Sequence, residues 1–243
     1  MRIPRFFHSQ ILIVDHEVQL EPDAANHAGN VLRLKEEHPV VLFNGDGNEY
    51  PATLCKVDKR QVWARVDAKL GISCESPLSI HLGQGVSKGD RMDFVLQKSV
   101  ELGVTEITPL LTERCMVKLN PDRWQKKHEQ WLKIIVGACE QCGRNTLPVL
   151  HPVANLADWT RQSTNALRLT LDPRAEKRIA ELDKPAGRGI RLLIGPEGGL
   201  SEQELYQAGE HGFQSVLLGP RVLRTETAAL TAIASLQSRF GDL

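Results

Sequence analysis

The strongest constraint on the fold of this chain lies near its C-terminus, where one pattern occurs twice: an apolar strand, a glycine-bearing turn, then a helix. Arg191-Leu192-Leu193-Ile194 leads into Gly195-Pro196-Glu197-Gly198-Gly199, and Val216-Leu217-Leu218 leads into Gly219-Pro220 and Arg221-Val222-Leu223-Arg224-Thr225-Glu226. Short apolar runs bounded by turn residues are expected as buried strands. Glycines follow where backbone must approach closely or φ must be positive. Ser201 and Glu204 have capping-box spacing, and Thr225 is expected to cap the last helix with Glu226 in its first turn. Ala228, Ala229, Ala232 and Ala234 keep that helix thin.

Such loops at the carboxyl ends of strands are where an open α/β sheet binds its ligand. Either loop alone would be a turn; together, with Arg221 and Arg224 in the second, they point to a site. Leu167 to Leu171 is a further expected strand, and Asp172-Pro173-Arg174 closes it with a third loop. Three such loops can wall a pocket.

The chain has 243 residues, enough for one or two domains, and carries 30 basic against 30 acidic side chains. No global field draws it to nucleic acid or membrane, so any basic face must be local. The odd count of five cysteines and the lack of an apolar leader argue for a reducing compartment, the cytoplasm. No apolar run approaches the roughly 20 residues of a membrane span.

Residues 1–71 are expected to form a β-rich domain. Arg2, Arg5, Phe6, Phe7 and His8 mix cations with aromatics, as a nucleic-acid contact or an ordinary edge strand would. A short helix is expected over 23–34, and strands at Val40–Phe43, Tyr50–Val57 and Gln61–Val66, with Asn44-Gly45-Asp46-Gly47-Asn48 turning between the first two. The Gly71 to Pro77 stretch is the best linker, and residues 72–243 are expected to form a second domain.

From Leu78 strands alternate with helices, the signature of a largely parallel sheet. Leu78–Leu82 and Thr105–Leu111 are expected strands, Asp90–Leu102 a helix ended by Gly103. Gly83-Gln84-Gly85 lacks the third glycine of a dinucleotide fingerprint, and no Walker spacing occurs. That leaves an oxidoreductase with little support.

Arg114, Lys118, Arg123, Lys126, Lys127 and Lys133 gather around a helix bearing Trp124 and Trp131. Charge clusters on helices are commonly solvated faces, but in a neutral chain this one is a candidate RNA contact. The single Cys139-Glu140-Gln141-Cys142 has no second ligand pair, so no metal is expected. Glu140 and Arg144 stand four apart and can pair.

Beyond these local readings, the chain resembles the RsmE-type ribosomal RNA methyltransferases of the SPOUT superfamily. The matching pieces are Arg2-Ile3-Pro4-Arg5, His27 with Val31-Leu32-Arg33, Gln97 to Val104, Glu140 to Arg144, Leu193 to Gly199, and Leu218 to Ala228. The resemblance implies a PUA-like barrel for RNA, then a SPOUT α/β domain with a trefoil knot that also forms a homodimer. It implies S-adenosylmethionine as methyl donor and N3 of a uridine in 16S rRNA, within the small ribosomal subunit, as acceptor; neither DNA nor membrane is a partner.

On that resemblance the donor site comprises Leu171, Asp172, Pro173, Ile194, Gly195, Pro196, Glu197, Gly198, Gly199, Leu218, Gly219, Leu223, Arg224, Thr225, Thr227 and Ala228. Arg224 is the candidate catalytic cation, since guanidinium offers a fixed fork of donors and stays protonated. Glu197, Glu226 and Arg144 are further catalytic candidates, the base being unassigned. Arg2, Arg5, Arg33, Lys118, Arg123, Lys126 and Lys127 are expected to hold RNA phosphates. The alternative is a non-catalytic RNA-binding protein that keeps the fold.

Overall fold

A computed structural model describes residues 3–58, 61–187 and 189–243, and the chain divides into two compact units. The first comprises Met1–Glu75 with Val136–Leu147; the second comprises Ser76–Ile135 with Pro148–Leu243. Arg2 lies outside the described residues.

The first unit is built on β1 (Arg5–Phe7), β2 (Glu17–Gln19), β3 (Pro39–Phe43), β4 (Tyr50–Val57) and β5 (Val62–Val66), ordered β1-β3-β4-β5-β2. The alternation of β4 buries Tyr50, Ala52 and Leu54 on one face. Phe6, Leu20, Leu42, Val62, Ala64 and Val66 pack into the same core. The β3–β4 turn is set by the side chains of Asn44 and Asp46: Asn44 Oδ1 accepts from Asp46 N–H at 3.2 Å and Asp46 Oδ1 from Asn48 N–H at 2.9 Å. Gly45 and Gly47 take the positive φ values, +90° and +84°. The helix expected over 23–34 forms as α1 (Pro22–Asn26) followed by a π-helical turn, His27–Val31.

The second unit is a seven-stranded parallel sheet flanked by helices. Its strands are β6 (Ser79–Gly85), β7 (Glu106–Leu111), β8 (Val149–Leu150), β9 (Ala154–Asn155), β10 (Leu167–Leu171), β11 (Gly189–Ile194) and β12 (Gln214–Val216). The order is β12-β10-β11-β6-β7-β8, with β9 also on β7, so β11 inserts between β10 and β6. On one side α4 (Leu156–Arg161) and α5 (Glu202–Glu210) enclose Leu110, Leu156, Trp159, Leu193, Ala208 and Phe213. Elsewhere α2 (Asp90–Glu101) packs on α6 (Thr225–Phe240); α6 buries Ala229, Ala232, Ile233 and Leu236, and α2 buries Met92, Val95, Leu96 and Val100. The buried Gln237 fixes the far end of that pair, donating to Leu102 O at 2.9 Å and accepting from Ser76 Oγ at 2.7 Å.

Most strand boundaries fall within a residue of expectation; two of the exceptions bear on the site. β6 continues through Gly83-Gln84-Gly85, so these glycines are strand residues rather than a ligand loop. A Cβ on Gly83 would lie 2.5 Å from Trp159, and one on Gly85 2.5 Å from Pro196 N; both glycines are there for close packing. β12 ends at Val216, which releases Leu217 and Leu218 into the following loop.

Candidate active site

Parallel pairing puts the carboxyl ends of β10, β11 and β12 on one side of the sheet. The three loops leaving those ends wall a cavity of about 690 Å³. This lies within the usual range for small-molecule sites, about 300–1,000 Å³.

The first loop is Asp172-Pro173-Arg174. Asp172 N–H donates to Val216 O at 3.1 Å, while its Oδ1 accepts from the N–H and Nε of Arg174 at 2.9 and 3.2 Å. Arg174 also reaches Glu202 at 2.9 Å.

The second loop, Gly195 to Leu200, folds so tightly that a Cβ on Gly195 would meet Gly199 and Leu200 backbone at 3.0 Å. Gly199 adopts φ +68° and donates to Pro196 O at 2.8 Å. The capping box of α5 holds its far end: Ser201 Oγ accepts from Glu204 N–H at 3.2 Å, and Glu204 accepts from Ser201 N–H at 2.8 Å. Glu197 accepts from Lys88 N–H and from the Arg91 guanidinium, both at 2.9 Å. Burial pushes this carboxyl up, but backbone N–H donors and Arg91 outweigh it and hold Glu197 below the usual carboxylate range. It is an ionised strut.

The third loop runs from Leu217 to Arg224. Leu217 is anchored at both ends, donating to Lys177 O at 2.9 Å and accepting from Ile179 N–H at 3.0 Å. Thr225 is not the helix cap. Arg224 occupies that position with φ −65° and ψ 155°, and Thr225 is the first helical residue. Its hydroxyl donates to Gly195 O at 2.6 Å and accepts from Gln84 Nε2 at 3.0 Å, joining the second loop, the third loop and β6.

Every residue expected at the donor site lines this cavity except Thr227, which is exposed on α6. Arg224 is exposed at the cavity wall. Glu226 also lines it; one carboxylate oxygen lies 3.9 Å from Arg91 Nε, and Oε2 is buried without a hydrogen-bond partner among the described residues. Sequence reasoning missed Arg91, the second residue of α2, because only tertiary packing carries it to Glu197 and Glu226. Arg114, expected with the basic helix, instead lines the cavity and donates to Gly198 O at 3.0 Å.

The other expected residues lie elsewhere. Lys118, Arg123 and Lys126 are exposed before and on α3 (Pro121–Cys142), while Lys127 pairs with Asp93 at 3.4 Å. In the first unit Arg33 is exposed, with φ +53°. Arg5 is 9% exposed and taken up internally, donating to Glu49 and, at 2.5 Å, to Asn145 Oδ1. Arg144 is also buried in the first unit and forks onto Glu75 at 2.9 and 2.6 Å; Glu140 accepts from Phe7 N–H at 3.0 Å. Among the described residues no helix is long and apolar enough to cross a membrane.

The model of the RNA methyltransferase domain matches residues 74–237, and that of the RNA methyltransferase PUA domain matches residues 20–67. The chain belongs to the RNA methyltransferase family. Within the family it is 36% identical to the ribosomal RNA small subunit methyltransferase E of Buchnera aphidicola subsp. Schizaphis graminum, over 100% of this chain and 98% of that one. It is 30% identical to the protein of that name from Bacillus subtilis, over 88% and 87%. Among solved structures, ribosomal RNA small subunit methyltransferase E from Neisseria gonorrhoeae, bound to S-adenosyl methionine, is 41% identical with a TM-score of 0.93 over the whole of both chains. A Legionella pneumophila protein solved in complex with the bound cofactor SAM is 45% identical with a TM-score of 0.96, again over both whole chains.

The cavity suits the cofactor those two structures contain. Ile194, Leu171, Leu218 and Leu223 offer apolar wall for a purine, and the partnerless Glu226 Oε2 is an acceptor awaiting a donor.

Proposed function

We propose that this chain is an S-adenosylmethionine-dependent methyltransferase that modifies N3 of a uridine in 16S rRNA of the small ribosomal subunit, in the cytoplasm. The observation that carries the reading is the single cavity wall built by three strand-end loops, with Arg224 and an unpartnered Glu226 oxygen on it. When bound, S-adenosylmethionine supplies an electrophilic methyl group on a sulfonium.

The chain's residues have two tasks. Leu171, Ile194, Leu218 and Leu223 exclude water, while glycines 195, 198 and 199 leave room for backbone to meet the ligand's polar edge. The second task is the acceptor: uracil N3 is a poor nucleophile until its proton leaves, and the resulting charge spreads onto the flanking carbonyl oxygens. Arg224, permanently charged and planar, stabilises that charge. Glu197 Oε1 accepts from both Lys88 N–H and Arg91, which marks this carboxylate as structural, and Glu226, the other carboxylate named among the catalytic candidates on the cavity wall, is the proposed base.

Residues 1–71 are proposed as the RNA-binding domain and 72–243 as the methyltransferase domain. Arg33, Lys118, Arg123, Lys126 and Lys127 hold phosphates, the last in exchange for its Asp93 partner, and the internally paired Arg5 supports the fold of the first unit. The insertion of β11 between β10 and β6 supports a threaded, knotted C-terminus. That same domain is proposed to form the homodimer.

Single-turnover methylation of small-subunit RNA tests the reading. Arg224→Ala is expected to lower the rate by about 10²–10³ while calorimetry shows the cofactor still bound. An unchanged rate removes Arg224 from the mechanism, and failure of the parent protein to bind S-adenosylmethionine removes the reading itself.

A further inference from the structure

Away from the cavity, strand pairing gathers three potential metal ligands that no short motif announces. β6 and β7 pair with His81 opposite Glu106, and His151 follows β8, its N–H bound to Ile107 O at 2.8 Å. Their side chains converge: His151 Nε2 lies 2.8 Å and His81 Nδ1 3.7 Å from Glu106 Oε2, and all three ligand atoms fall within 4.8 Å of one another. The imidazoles stack at 5.1 Å.

We propose that His81, Glu106 and His151 form a binding site for one divalent ion of the zinc class. Two imidazoles and a carboxylate form a donor set that Zn²⁺ accepts, with a fourth position left to water. Ligands about 2.1 Å from a tetrahedral ion stand about 3.4 Å apart; the 2.8 and 3.7 Å contacts to Glu106 Oε2 bracket that spacing, and the third ligand pair, within 4.8 Å, closes by at most about 1.4 Å.

The surroundings are those of a ligand set. His81 Nε2 lies 2.8 Å from Thr108 Oγ1, so the other ring nitrogen carries that hydrogen bond while Nδ1 faces the carboxylate. Trp159 closes one side, edge-on to His81 at 5.3 Å. The neighbouring cation, Arg191, is stacked 4.0 Å over Trp159 and hydrogen-bonded to Gln162 at 2.7 Å. An entry path is open, since the Glu106 and His151 side chains are 40% and 37% exposed. An ion here would cross-link β6, β7 and the segment after β8; none of its ligands lines the donor cavity.

Titration of the chelator-stripped protein with Zn²⁺, and with Co²⁺ for its visible absorption, decides the matter. One equivalent is expected to bind and to raise the melting temperature. His81→Ala, His151→Ala and Glu106→Gln should each weaken binding at least tenfold, and Thr108→Val by roughly 10- to 100-fold. Cys139→Ser/Cys142→Ser should leave it intact. Unchanged melting temperatures of the stripped variants establish that each is folded; His151→Ala, at a partly exposed position outside the strands, serves if the others are not. No binding by the parent, or binding lost in the cysteine variant and kept in the trio variants, overturns the proposal.

Discussion

The Thr225 hydroxyl donates to the carbonyl of Gly195 at 2.6 Å, so the first residue of the last helix closes the glycine loop that follows β11. Gln84 Nε2 donates to the same hydroxyl, bringing the end of β6 into the junction. Two loops that are thirty residues apart in sequence are therefore one structural object.

Thr225→Val keeps the shape and removes the hydroxyl, leaving the Gly195 carbonyl without this donor in a partly buried setting. A loss of about 1–3 kcal/mol is expected in chemical denaturation, with weaker cofactor binding. Thr225→Ser should restore most of both. Equal stability of the valine and serine variants would show that the hydroxyl contributes little.

Gly85→Ala tests the close approach of β6 to the second loop. Its Cβ would lie 2.5 Å from Pro196 N, and backbone cannot yield as a flexible side chain does. At least a tenfold loss in S-adenosylmethionine affinity by calorimetry is expected. Gly137→Ala, an exposed helical position with nothing within 4 Å, serves as control and should stabilise by about 0.5–1 kcal/mol.

Arg33, Arg123 and Lys126 are exposed, and RNA affinity should register them through its salt dependence. For single-stranded RNA each lost phosphate contact is expected to reduce the log–log salt slope by about 0.7. Fluorescence anisotropy over a salt series with the single alanine variants measures this. A slope identical to the parent's removes that residue from the interface.

Glu140 carries a pH signature. Burial raises its carboxyl above the usual range, with the Phe7 N–H, His27 and Arg5 opposing. A raised folded-state value means that its contribution to stability is fully present below the unfolded value and is lost as pH rises through the folded one. Glu140→Gln can still accept from Phe7 but has no charge to bury. Its melting temperature relative to the parent should climb from acid toward neutral pH; a difference that is flat across the range contradicts the assignment.

How much of this was legible beforehand depended on how local each signal is. The strands at Tyr50–Val57 and Leu167–Leu171, the Ser201/Glu204 capping box and the turns at Gly45 and Gly199 are dictated by residues adjacent to one another in the chain. Alternation, side-chain capping and positive φ are short-range physics, and the family motifs in the last fifty residues follow the same loops. Tertiary structure decided the rest: that β11 inserts between β10 and β6, that Thr225 reaches Gly195 instead of capping its helix, and that Arg91 meets Glu197. It also gathered His81, Glu106 and His151 from three separate segments of the chain. Parallel pairing joins strands that are distant in sequence, and its register is set by packing of the whole sheet rather than by any neighbour along the chain.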